Sequence, residues 1–267
     1  MNRGHGAAAT LLVCSLAAAA ALAQDAGTPV AFVACPILRN TELPCWLGES
    51  GGELYYLGPQ GDLTADFYPP EFGHKMLVEG VVASAPKICG GVVLKPVRVS
   101  VLPDQDINCN IMLPAAGFAD PPHNRGSGPS GVRGAVPPPP PPRTLPVEFT
   151  APFKPQVFTA TFNADSERLW NPAQNAIATA ARYANATVAS RIEITGYRAA
   201  IHLSNGQDYV ESQALAASRA AAVEQALRTV GVPAGTKLSV RAHLAAIASQ
   251  GMEASLAARR VTILVVP

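Results

Sequence analysis

Three arginines and one aspartate are the residues with most chemistry to offer in the C-terminal part of this chain: Arg198, Arg219, Arg259 and Asp208. A guanidinium is a planar fork of N–H donors that fits a carboxylate, so the three arginines read either as one anion site or as separate solvated surface charges. Arg219 follows Leu215 by one helical turn and precedes Val223 by one, which sets it at the margin of a buried helix face. The histidines offer less, because His74, His123, His202 and His243 stand far apart in the sequence. There is no Gly-x-Ser-x-Gly elbow, no His-Glu-x-x-His and no phosphate-cradling glycine loop. The chain therefore reads as a binding protein and not an enzyme, with no cofactor and no metal site.

The cysteines point to an exported protein. Residues 1–23 start with Arg3, continue as an apolar alanine-rich run and close on Ala21-Leu22-Ala23. A positive start, a short apolar stretch and a small-x-small end read as a secretory signal peptide. Cys14 lies inside that run, with apolar sequence continuing beyond it, so it does not read as a lipid-attachment site. Four cysteines then remain, Cys35, Cys45, Cys89 and Cys109, an even number without a Cys-x-x-Cys pair. In an exported chain this argues for two disulfides. Three connectivities are open, and nearest-neighbour pairing (Cys35 with Cys45, Cys89 with Cys109) is weakly preferred.

Charge narrows the partners. Lys and Arg total 20 against 19 for Asp and Glu, with no basic run, so nothing supports binding to nucleic acid or an anionic membrane surface. Beyond the leader no stretch is long and apolar enough to span a bilayer as a helix, so the mature chain has no expected transmembrane span. From 120 to 147 there is no apolar periodicity, and Pro137 to Pro142 form an unbroken proline run. Such a run favours extended polyproline II, so 120–147 reads as a Pro/Gly-rich linker between two domains.

The elements that must position these residues follow. Residues 25–119 read as a small β domain. Met76–Val82 and Val97–Val101 alternate with period two, and Val30–Val33 and Glu53–Leu57 are further short runs. Gly51-Gly52, Gly58-Pro59 and Pro69-Pro70 mark turns between them. About 95 residues are too few for an eight-stranded membrane barrel. Trp46, Tyr55, Tyr56, Phe67, Tyr68 and Phe72 are expected mostly in the core, because so small a domain needs its large side chains inside. Residues 148–267 show strand candidates at Val157–Phe162, Arg191–Thr195, Lys237–His243 and Arg260–Val266. Helical patterns run from Asn171 to Thr187 and from Tyr209 to Val230. The fold class is α+β, and the second unit has the order βαβαββ.

The motifs of this second unit resemble the OmpA-like, peptidoglycan-associating domain family. Phe162-Asn163-Ala164-Asp165-Ser166-Glu167-Arg168-Leu169 is similar to the family's F-x-x-D-S-x-x-L. Arg191–Gly196 is similar to its second strand, and Leu215-Ala216-Ala217-Ser218-Arg219-Ala220-Ala221-Ala222-Val223 to L-S-x-x-R-A-x-x-V. Gly231-Val232-Pro233-Ala234 and Arg259-Arg260-Val261-Thr262-Ile263 complete the series. The resemblance implies a site that holds the diaminopimelate residue of a peptidoglycan stem peptide with one arginine and one aspartate. The arginine maps to Arg219. Where the family has aspartate, after Gly196-Tyr197-Arg198, this chain has Ala199. Ser212 and Ala258 stand where asparagines are common, and the stretch before Leu215 is about five residues longer than usual. Asp208, in that longer stretch, is either a substitute carboxylate or, as preferred, an N-cap of the helix that follows.

Two functions follow as expectations. In the first, an exported periplasmic protein, associated with the cell wall or outer membrane, docks on peptidoglycan through Arg219, helped by Arg198, Asp208 and Arg259. In the second, the C-terminal module is a degenerate OmpA-like scaffold for protein–protein contact in the envelope. The first is preferred; Ala199 and the lengthened loop motivate the second as the alternative.

Overall fold

The computed structural model describes residues 25–60, 69–115, 117–118, 121 and 148–267. Residues 1–24, where the leader is expected, together with Phe67, Tyr68 and nearly all of the proline-rich segment, lie outside these. Among the described residues no helix is long and apolar enough to cross a membrane.

The regular elements among the described residues of the N-terminal half are strands: β1 (Pro29–Ala34), β2 (Ile37–Asn40), β3 (Cys45–Ser50), β4 (Glu53–Pro59), β5 (His74–Val82), β6 (Val92–Gln105) and β7 (Ile111–Pro114). They form one seven-stranded sheet in the order β1-β5-β6-β4-β3-β2-β7. The four strand candidates of the sequence correspond to β1, β4, β5 and part of β6. β2, β3 and β7 are too short or too interrupted to show a period. Trp46, Tyr55 and Tyr56 are buried, and Phe72 packs on Trp46 at 5.4 Å between ring centroids.

Sheet order decides the disulfides, which join Cys35 to Cys109 and Cys45 to Cys89. This corrects the nearest-neighbour preference. β2 runs parallel to β7 with Ile37 opposite Ile111, so Cys35 and Cys109, each two residues ahead of its strand, arrive side by side. Neighbours across a sheet need not be neighbours in sequence, and here they are 74 residues apart.

In the C-terminal half the strands are β8 (Gln156–Thr161), β9 (Arg191–Gly196), β10 (Ala199–His202), β11 (Asp208–Val210), β12 (Lys237–Ala242), β13 (Ile247–Ser249) and β14 (Arg260–Val266). The helices are α1 (Asn171–Thr187), α2 (Leu215–Val230) and α3 (Met252–Ala258). The main sheet has the order β12-β9-β14-β8, and β10 and β11 make a hairpin extended by β13. Alternate residues of β9 and β14 (Ile192, Ile194, Val261, Ile263, Val265) meet Ile177, Val223 and Leu227 of the helices in one core. Buried alanines (Ala173, Ala180, Ala181 and Ala184 on α1, Ala216 and Ala220 on α2) keep the helix surfaces flat against the sheet, which is where much of the alanine is used. Gly196 is needed at the end of β9 for close approach, because a Cβ there would lie 1.9 Å from the backbone oxygen of Ala216.

The helix expected over Tyr209–Val230 is shorter. Asp208–Val210 pairs with Ala200–His202 as the second strand of the hairpin, and α2 begins at Leu215 with Ala214 at its cap position. The Asp208 cap is therefore not formed.

The halves pack together through a face that alternation creates. On β1, β5 and β6, Val30, Phe32, Met76, Val78 and Val99 point into the core of the N-terminal half. The intervening Ala31, Val33, Leu77 and Leu102 instead join Ala164, Ala199, Ile201, Leu203 and Ala258 of the C-terminal half in a second apolar cluster. A sheet covered on both faces loses the polar alternation of a half-exposed one. Polar contacts flank this cluster. Ala164 donates its N–H to Ser100 Oγ at 3.1 Å, and Arg98 lies over the Trp170 ring. At the tip of the β10–β11 hairpin, Ser204 donates its N–H to the oxygen of Ala31, whose own N–H donates back to Ser204 Oγ.

Candidate functional site

Arg219 stands on the first turns of α2, one turn past Leu215, over the end of β9 where Gly196 lets the helix come close. Its side chain has no solvent exposure. A guanidinium carries five N–H donors, and all five have partners within the chain. Nε donates to the oxygen of Ser166, one Nη to those of Tyr197 and Glu211, and the other to those of Asn163 and Glu211. The Phe162 ring lies 5.2 Å from its central carbon. The motif Phe162–Ser166 thus wraps the arginine by its backbone.

The partner carboxylate is Glu211, also without exposure, in a two-point pair with nitrogen–oxygen distances of 2.7 and 2.9 Å. Each of its oxygens takes a second donor: the N–H of Asp165 at 3.0 Å on one and the N–H of Ala199 at 2.6 Å on the other. Four donors therefore converge on one carboxylate. Charge-assisted bonds of this kind are roughly twice as strong as neutral ones.

Asp165 holds the stretch that carries Glu211. Its backbone is left-handed, with φ at +45°, which turns the loop back on itself. Its carboxylate accepts from the N–H of Ser212 and from the hydroxyl of Tyr209. Burial, then that bond to Asp165, raise the Tyr209 hydroxyl far above its ordinary pKa, so it stays a donor at every physiological pH.

The four residues singled out from sequence separate. Arg198 and Arg219 converge on residue 211. Arg219 takes its carboxylate, and Arg198 donates to its backbone oxygen at 2.7 Å and to that of Leu244 at 3.0 Å. Asp208 lies on the exposed side of the hairpin, paired with His202 at 2.9 Å. Arg259 leaves the group altogether. It is fully buried between the halves, donating to Glu79 of β5 at 2.8 Å and to Ser255 at 3.0 Å. Sequence reasoning missed both glutamates. Glu79 did carry a signal, as a lone acid in the apolar run Met76–Val82, where Leu77 and Glu79 share the face turned to the C-terminal half.

Ala199 and Ala258, where the family carries polar residues, both sit in the apolar cluster between the halves. A carboxylate at 199 would be buried in that apolar cluster. These two positions are here buried in the contact between the two halves.

Residues 161–260 match the model of the OmpA family. Among solved structures, the periplasmic domain of Helicobacter pylori MotB is 19% identical with a TM-score of 0.33, over 42% of this chain and 83% of that one. The OmpA-like domain of FopA1 from Francisella tularensis subsp. tularensis SCHU S4 is 19% identical with a TM-score of 0.30, over 40% and 70%. A longer periplasmic domain of MotB is 20% identical with a TM-score of 0.33, over 42% and 64%. No curated protein matches the chain significantly. With its motif series and that match, the C-terminal half of this chain, over residues 161–260, is an OmpA-like domain.

Proposed function

We propose that this chain is a non-catalytic protein of the cell envelope whose OmpA-like domain is a scaffold for protein contact, its ligand-side face taken by the chain's own N-terminal half. The observation that carries this reading is Arg219, which has no exposure and no N–H left to offer a ligand. The burial of Ala199 and Ala258 in one apolar cluster with Leu77 and Leu102 of the N-terminal half supports it. The leader expected at 1–23 supports export, and the two disulfides are at home in an oxidising compartment.

One observation favours the second reading, docking on peptidoglycan. Arg219 is retained at the family position and already grips a carboxylate at two points, which is what a stem-peptide carboxylate asks of it. In that reading the ligand replaces Glu211. Co-sedimentation of the full chain with purified sacculi separates the two. The scaffold reading expects no more protein in the pellet than in a control without sacculi. Clear sedimentation of the wild-type chain overturns it and establishes wall association.

A further inference from the structure

We infer that Glu211 is a built-in occupant of a carboxylate-binding site, held by two guanidinium N–H groups of Arg219 and the backbone N–H groups of Asp165 and Ala199. The inference rests on the scaffold reading above and gives the reason the site is closed. The geometry is that of a receptor. Each carboxylate oxygen takes one guanidinium and one backbone donor, at 2.6 to 3.0 Å. Neither backbone donor belongs to a helix or to the main sheet. One comes from the left-handed turn at Asp165, and the other from the first residue of β10, where the family's own carboxylate would stand. Four donors set for two oxygens suit any carboxylate and do not suit a spherical anion, which cannot span both pairs.

Glu211 also arrives from outside the frame that builds the site. Asn163, Asp165, Ser166, Tyr197 and Arg219 lie in or beside the motifs of the OmpA-like unit. Glu211 is delivered by the β10–β11 hairpin and the stretch after it, the part of the chain that is longer than usual. The lengthened loop is thus an internal ligand on a short tether, and any outside carboxylate has to displace it.

Chemical rescue tests this on the full chain. Glu211→Ala removes the occupant and leaves the four donors. Acetate at pH 7 is expected to restore stability, raising the thermal midpoint of the variant by about 3 °C at a concentration roughly ten times its dissociation constant. Chloride at equal ionic strength is expected to give no such shift, and the wild-type chain, already occupied, no acetate-specific shift. If the variant does not fold alone, refolding yield in acetate against chloride is the readout, with recovery in acetate expected. Glu211→Gln is the control, since its amide fills the same space and is expected not to respond. Acetate and chloride acting alike on Glu211→Ala, or acetate acting equally on the alanine and glutamine variants, overturns the inference. Sacculus sedimentation is a separate readout, so failure of the scaffold reading and failure of this one are distinguishable.

Discussion

Among the described residues two arginine–glutamate pairs are sealed inside the protein, and they are finished to different degrees. In Arg219–Glu211, every N–H and both oxygens have partners, and five backbone groups depend on the pair. In Arg259–Glu79, one bond of 2.8 Å joins the two halves of the chain. There Arg259 Nε and Glu79 Oε1 find no hydrogen-bond partner among the described residues. Taking two charges out of water costs several kcal/mol per ion, recovered only when geometry and the remaining bonds are good. The first pair is therefore part of how its domain is built. The second is only partly satisfied, so it is expected to contribute little to holding the two halves together.

Replacement by apolar residues should bring that difference out. Arg219→Met with Glu211→Leu leaves the oxygens of Asn163, Ser166 and Tyr197 and the amides of Asp165 and Ala199 unpartnered. At 1–3 kcal/mol for each buried group, the loss is on the order of 5 kcal/mol or more. That is enough to unfold a marginally stable chain, and urea unfolding would measure it. Removing one member of the other pair, as in Glu79→Ala, strands the Arg259 charge and should cost about 3 kcal/mol. Replacing both members, as in Glu79→Leu with Arg259→Met, should instead lie between neutral and a gain of about 2 kcal/mol, because little bonding is lost. If the two double variants lose equal stability, the contrast between the pairs is broken.

The OmpA-like unit was legible because its motifs are local. Phe162–Ser166, Gly196, the α2 sequence around Arg219 and Arg259-Arg260 can each be read in place. Arg219 was found for the same reason, but what it holds was not. The run from Tyr209 to Val230 has helical spacing, which would put Glu211 on a helix turn and make Asp208 the natural cap. Tertiary pairing with β10 overrode that local preference and turned Glu211 inward. The disulfide partners were illegible for a related reason, since they follow from β2 lying beside β7, a neighbourhood no local pattern encodes. Glu79 was the exception that could have been read, because an acid within a buried alternating run needs a partner.

Smaller effects sharpen the contrast further. Ser100→Ala removes a buried acceptor from the Ala164 N–H at the domain interface and should cost about 1 kcal/mol. Its effect should be undiminished in the Glu79→Leu, Arg259→Met background if the apolar cluster, rather than the ion pair, holds the halves. Least of all is a surface effect. The Asp106 carboxyl is held below its ordinary pKa chiefly by the backbone N–H of Asn108, with Lys75 also helping. A lowered carboxyl contributes stability above its unfolded-state value and loses it as pH falls through the folded value. A small drop on acidification, absent in Asp106→Asn, is the expected result in pH-dependent unfolding.

The reciprocal bonds between Ser204 and Ala31 have one more consequence. β1 is the last strand on its side of the seven-stranded sheet, and an uncovered outer strand is a template on which another chain can add its own. The hairpin of the OmpA-like domain sits on that strand and takes up both hydrogen-bonding groups of Ala31. Docking of the two halves thereby leaves Ala31 without free edge groups for another chain to pair with. The N-terminal half made alone should polymerise through β1, and the intact chain should not.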